Sequence, residues 1–88
     1  MLASSVVPLP IDRVIVERID PSKTASGALS YLITAHTADE ASRHVQYQTM
    51  RVLDAAACQR SLDLGIPVRI RWKQTEFGRD ITRVEIER

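Results

Sequence analysis

Between Pro67 and Gln74 the chain alternates strictly, with Val68, Ile70 and Trp72 interleaved with Arg69, Arg71 and Lys73. A period of two is the signature of a strand with one face on a core and the other in solvent. Here one face is wholly apolar and the other wholly basic. A chain of 88 residues has material for one core and no second one, so the rest of the sequence has to supply the other walls of that core.

Neighbouring segments supply them as strands. From Ile11 to Asp20, Ile11, Val14, Ile15, Val16 and Ile19 are mixed with Asp12, Arg13, Glu17 and Arg18, an irregular alternation that suits a strand carrying a bulge. Residues 21–28 collect Pro, Ser, Lys, Thr and Gly and read as a mobile loop. Leu29 to Thr37 forms a second strand, with Tyr31, Ile33 and Ala35 on one side. Arg79 to Glu87 returns from a turn around Gly78 as the second arm of a hairpin.

The middle of the chain has two readings. Thr37 and Glu40 match a capping box that starts a helical turn, and no Gly or Pro interrupts residues 28–64. One long helix from Ala38 to Leu64 would span about 40 Å at 1.5 Å per residue, too long for so small a domain. The preferred alternative is a third strand through Tyr47, Thr49 and Arg51, followed by a helix Ala55 to Leu64. Asp54 would cap that helix, Gly65 would end it, and Ala55, Cys58 and Leu62 would face inward. Residues 1–10, with two prolines, read as an extended lead-in, and residues 11–88 as one domain.

Three strands, a short capped helix and two strands, carried by "TMRVLDAAACQRSLDLGIPVRIRWKQ", resemble the OB-fold. The fold class expected is therefore mainly β, a small five-stranded OB-like barrel with one short helix between strands three and four. The resemblance implies a ligand surface across strands two and three, flanked by the loops at residues 21–28 and 75–78. OB-fold proteins often bind single-stranded nucleic acid and in other cases bind proteins.

Single-strand binding needs cations along the phosphates and flat rings against the bases. Tyr47 and Phe77 are the candidate rings. Arg51, Arg69, Arg71, Lys73 and Arg79 are the candidate cations. Against this stand a net charge of only +1 and the plainer assignment of Tyr31 to the core, of Tyr47 to a half-buried cross-strand pair and of the basic row to a solvated face. The competing function is a protein-interaction or structural subunit, including a homo-oligomer, that uses the same sheet.

Chemistry is not expected. His36 and His44 with Asp39 or Glu40 lack a compact ligand spacing. Pro21 to Thr24 lacks the glycines of a phosphate loop, and no nucleophile and base are placed together. No cofactor, no metal and no enzymatic activity are expected. The sole cysteine, Cys58, points to a reducing, cytoplasmic setting, and no segment reaches the roughly 18 apolar residues of a membrane span.

Overall fold

The computed structural model describes residues 10–87, so the lead-in at residues 1–10 lies, except for Pro10, outside the described residues. Five strands form a closed barrel in the order β1-β2-β3-β5-β4. They are β1 (Ile11–Lys23), β2 (Leu29–Thr37), β3 (His44–Thr49), β4 (Val68–Thr75) and β5 (Gly78–Ile86), and the one helix, α1 (Val52–Leu64), lies between β3 and β4. All neighbours are antiparallel except β3 and β5, which meet in parallel at Gln48 and Asp80. The mainly β class and the position of the helix are as the sequence implies.

The core is built from the inward positions of each strand. Val14, Val16, Ile33, Ala35, Tyr47, Val68, Ile70 and Ile81 are buried together with Cys58 of α1. The alternation of β4 holds throughout, with Val68 and Ile70 buried, Trp72 half-buried against the core, and Arg69, Arg71 and Lys73 exposed.

The bulge expected in β1 falls between Val16 and Arg18, where the pairing with β2 shifts by one residue. It has a partner that the sequence did not announce. The fully buried Ser61 hydroxyl accepts a hydrogen bond from the Val16 amide at 3.1 Å and donates to the Ile66 carbonyl at 2.6 Å. One helical side chain thus satisfies a strand amide beside the bulge and a carbonyl just past the end of α1.

Four boundaries differ from expectation by more than a single residue. β1 runs on through Pro21 to Lys23, leaving a loop of only residues 24–28. Beyond Val14, β1 pairs with β2 alone, and a strand with one free side is where proline is tolerated.

The capping box at Thr37 does not form. The Thr37 hydroxyl instead accepts from the Arg43 amide and donates to Asp39, whose carboxylate also accepts from the Ser42 amide. These bonds close a tight β2–β3 loop with Ser42 at a φ of 42°. They also hold the Asp39 carboxyl below its usual range, Thr37 contributing most.

The third strand sits earlier than Tyr47–Val52, because the Thr49 hydroxyl accepts the Arg51 amide and turns the chain out of the sheet. The helix accordingly starts at Val52 and not at Ala55, with Arg51 as its N-terminal flank and no side-chain cap. Asp54 lies in the first turn, where an acid faces the positive end of the helix dipole. At the other end Gly65 stops the helix as expected, at a φ of 66° with its amide on the Ser61 carbonyl.

Candidate nucleic-acid interface

A cleft of about 690 Å³ opens between the 24–28 loop, the β4–β5 turn and the ends of β3 and β5. This is the region that the two loops were expected to flank. Its walls have a definite chemistry. Lys23, Arg51 and Lys73 bring positive charge, and Phe77 and Met50 bring exposed apolar surface. Its one carboxylate, Asp80, is engaged by the Gln48 amide at 2.5 Å.

Each wall is positioned by local structure. The 24–28 loop is tied by Thr24, whose amide donates to the Ala28 carbonyl at 2.8 Å and whose hydroxyl accepts the Ala28 amide at 3.1 Å. Gly27 supplies the positive φ of 87° that closes it. In the β4–β5 turn, the Thr75 hydroxyl accepts the Phe77 amide at 3.2 Å, and the Phe77 side chain stands 73% exposed. Arg51, between β3 and α1, donates to the Thr82 carbonyl at 3.0 Å. Its guanidinium is 3.9 Å from Asp54, and most of the side chain remains in solvent.

Of the seven residues singled out in the sequence, Arg51, Lys73 and Phe77 come together in this cleft. The other four do not line it. Tyr47 is 1% exposed, so it has no ring face to offer a base, and its place is in the core. Its hydroxyl donates to Asp12 at 2.5 Å, and burial first, then that hydrogen bond, pushes its pKa well above the usual tyrosine range. Arg79 stacks on Trp72, 4.8 Å from the ring centre. The Trp72 indole nitrogen donates to the same Asp12 oxygen at 2.8 Å.

Arg69 and Arg71 lie on the outer face shared by β1, β4 and β5, on the same side of β4 as Lys73. Arg69 and Arg13 share Glu87, at 3.4 and 2.8 Å. Arg71 stands opposite Ile11 on one side and Arg83 on the other.

Sequence reasoning missed Lys23 and Met50 as cleft residues and Asp12 as the anchor of Tyr47 and Trp72. The composition of residues 21–28 puts Lys23 in a loop, whereas β1 continues through it and carries it to the cleft rim. Asp12 could have been found by extending the inward period of Val14 and Val16 one step back.

The histidines also meet a different partner. His36 and His44 face each other across β2 and β3, and their Nδ1 atoms approach Glu17 of β1 at 2.9 and 3.2 Å, not Asp39 or Glu40. Among the described residues no group of His, Cys, Asp and Glu is arranged to hold a metal ion, and no helix is long and apolar enough to cross a membrane.

The barrel's strand order is compatible with an OB-like fold. No family model, no curated protein and no solved structure matches this chain.

Proposed function

We propose that this chain is a non-catalytic module of the OB-fold type that binds single-stranded nucleic acid in the cleft between its 24–28 loop and its β4–β5 turn. The observation that carries this is the grouping of Lys23, Arg51 and Lys73 around Phe77 and Met50, with Asp80 as the one carboxylate. Cations follow phosphates, and an exposed ring takes a base face at about 1–3 kcal/mol per stacked base. The cleft is of a size that takes a small organic group, so one or two nucleotides fit at a time. Cys58, the sole cysteine, is a buried free thiol, which fits a reducing compartment such as the cytoplasm.

The test is an anisotropy titration with labelled oligothymidylate at two salt concentrations. Phe77→Ala should weaken binding about 5-fold or more at both salts. Lys23→Gln and Lys73→Gln should each lower the salt slope by about 0.7. Absence of salt-sensitive binding by the unmutated chain rejects the proposal.

A second reading has its own observation. Met50, Val52 and Leu53 are 59, 65 and 84% exposed, a run of apolar side chains where β3 passes into α1. Such a run favours a protein partner, for which a second copy of the chain is the simplest choice. Sedimentation of the unmutated chain and of a Val52→Ser, Leu53→Ser variant decides it. Monomers at all concentrations exclude self-association.

A further inference from the structure

The outward row of β4 does not stop at the cleft. Lys73 belongs both to the cleft wall and to the alternating row that continues through Arg71 to Arg69. Successive outward residues on a strand are about 6.6–6.8 Å apart, close to the step between phosphates of a stretched single strand.

The charges along this row are not equivalent. At its far end Arg69 and Arg13 are both drawn onto Glu87. In its middle Arg71 faces Arg83 across the β4–β5 ladder. Like charges directly opposite on a sheet repel, and among the described residues no carboxylate lies within ion-pair distance of Arg71. Among the described residues Arg83 is paired to Glu85 on its own strand, at 3.1 Å, with 66% of its side chain in solvent. On the other flank of Arg71 stands the exposed Ile11. An anion placed between Arg71 and Arg83 removes their repulsion, and a sugar has Ile11 to rest against.

From this we infer that a single strand seated in the cleft continues over Lys73 onto the Arg71–Arg83 pair and ends its contacts there, short of Arg69, which stands between two carboxylates, Glu85 across the ladder and Glu87. The inference rests on the cleft reading and adds a direction and a limit to it. The strand turns the corner of the barrel onto the β1-β4-β5 face, and two cations outside the cleft extend the footprint.

The experiment compares short (about four-nucleotide) and longer (about ten-nucleotide) labelled oligothymidylates, lengths that bracket the small site sizes of OB-type modules. Both are titrated at two salt concentrations against the full chain. For the longer strand, the Arg71→Gln, Arg83→Gln double variant should lower the salt slope by about 1.4, or about 0.7 for each lost phosphate contact. It should leave the short strand unchanged, while Arg69→Gln leaves both unchanged.

If the double variant binds the longer strand with an unaltered slope while Lys23→Gln still weakens both strands, the path is wrong and the cleft reading stands. If Arg69→Gln lowers the slope as much as Arg71→Gln, the limit is wrong. If the unmutated chain binds neither strand, the path and the cleft reading fall together. A labelled oligoglutamate bound as tightly as the longer strand overturns the nucleic-acid assignment in favour of an acidic polypeptide.

Discussion

Replacing Asp12 by alanine removes one carboxylate oxygen that two aromatic side chains share. The Tyr47 hydroxyl and the Trp72 indole N–H both end on Oδ2, at 2.5 and 2.8 Å. Tyr47 is 1% exposed, so Asp12→Ala takes the acceptor from a hydroxyl that the rest of the barrel encloses, at a cost of about 1–3 kcal/mol for an unpaired buried donor. Trp72 is only half-buried, and water can replace much of its lost bond, leaving up to about 1 kcal/mol. The sum is about 1–4 kcal/mol, a large part of the roughly 5–15 kcal/mol that holds a small domain together.

Tyr47→Phe deletes one donor and leaves the Trp72 bond, so it should cost about 1–2 kcal/mol. In the Asp12→Ala background the same change should cost nothing, or should stabilise, because the hydroxyl it removes is already unpaired. Urea unfolding followed by Trp72 fluorescence measures all four corners of that cycle. A cost below about 0.5 kcal/mol for Asp12→Ala, or an undiminished cost of Tyr47→Phe in its presence, would refute the shared-acceptor argument.

Ser61→Ala should destabilise by about 1–3 kcal/mol by orphaning the buried Val16 amide, and hydrogen exchange at Val16 should accelerate. A change within error in urea midpoint would show that water takes the place of the hydroxyl. Stability should also fall at alkaline pH. Burial pushes the Cys58 thiol up to about 12, Asp54 adding to it, and burial raises Tyr47 as well. Both groups stay protonated longer in the folded state than in the unfolded chain. The stability they contribute is complete below the unfolded values and is lost as pH rises from about 9, by up to about 1.4 kcal/mol per pH unit for each group. A urea midpoint unchanged between pH 8 and pH 11 contradicts this. Phe77→Ala, in contrast, should leave stability within about 0.5 kcal/mol, since its ring is 73% exposed. A larger loss would mean that the ring packs on the barrel.

Elements with a strong local signal were legible in the sequence. β2 spans Leu29–Thr37 and α1 ends at Gly65 as read, because alternation and a left-handed glycine each encode the structure within a few residues. Where two structures use the same residue type, the boundary slipped. Asp54 suits the cap and the first turn equally, and Thr37 can cap a helix or, as it does here, clasp a hairpin loop.

The site was legible only in part. Period two places a side chain inside or outside but does not say which outward residues the barrel's curvature gathers. Lys73 and Phe77 therefore met Lys23 in the cleft, while Arg69 and Arg71 were carried around the corner. In a strand drawn through Val52, Tyr47 shares its face with Arg51 and the opposite face carries Met50 and Val52, so both faces read as mixed and nothing marks the Tyr47 hydroxyl for burial against Asp12.

The parallel meeting of β3 and β5 has a consequence for how the barrel can fail. It is a single bridge between Gln48 and Asp80, reinforced by the side-chain bond of the same two residues and by Arg51 on the Thr82 carbonyl. Every other junction is a ladder of at least four residue pairs. Unzipping that one bridge turns the barrel into a curled antiparallel sheet with β3 and β5 as bare margins, each able to template a strand from another molecule. Gln48, Asp80 and Arg51 line the cleft, so an occupant seated there staples the two margins, and occupancy and resistance to strand exchange become one property of the molecule.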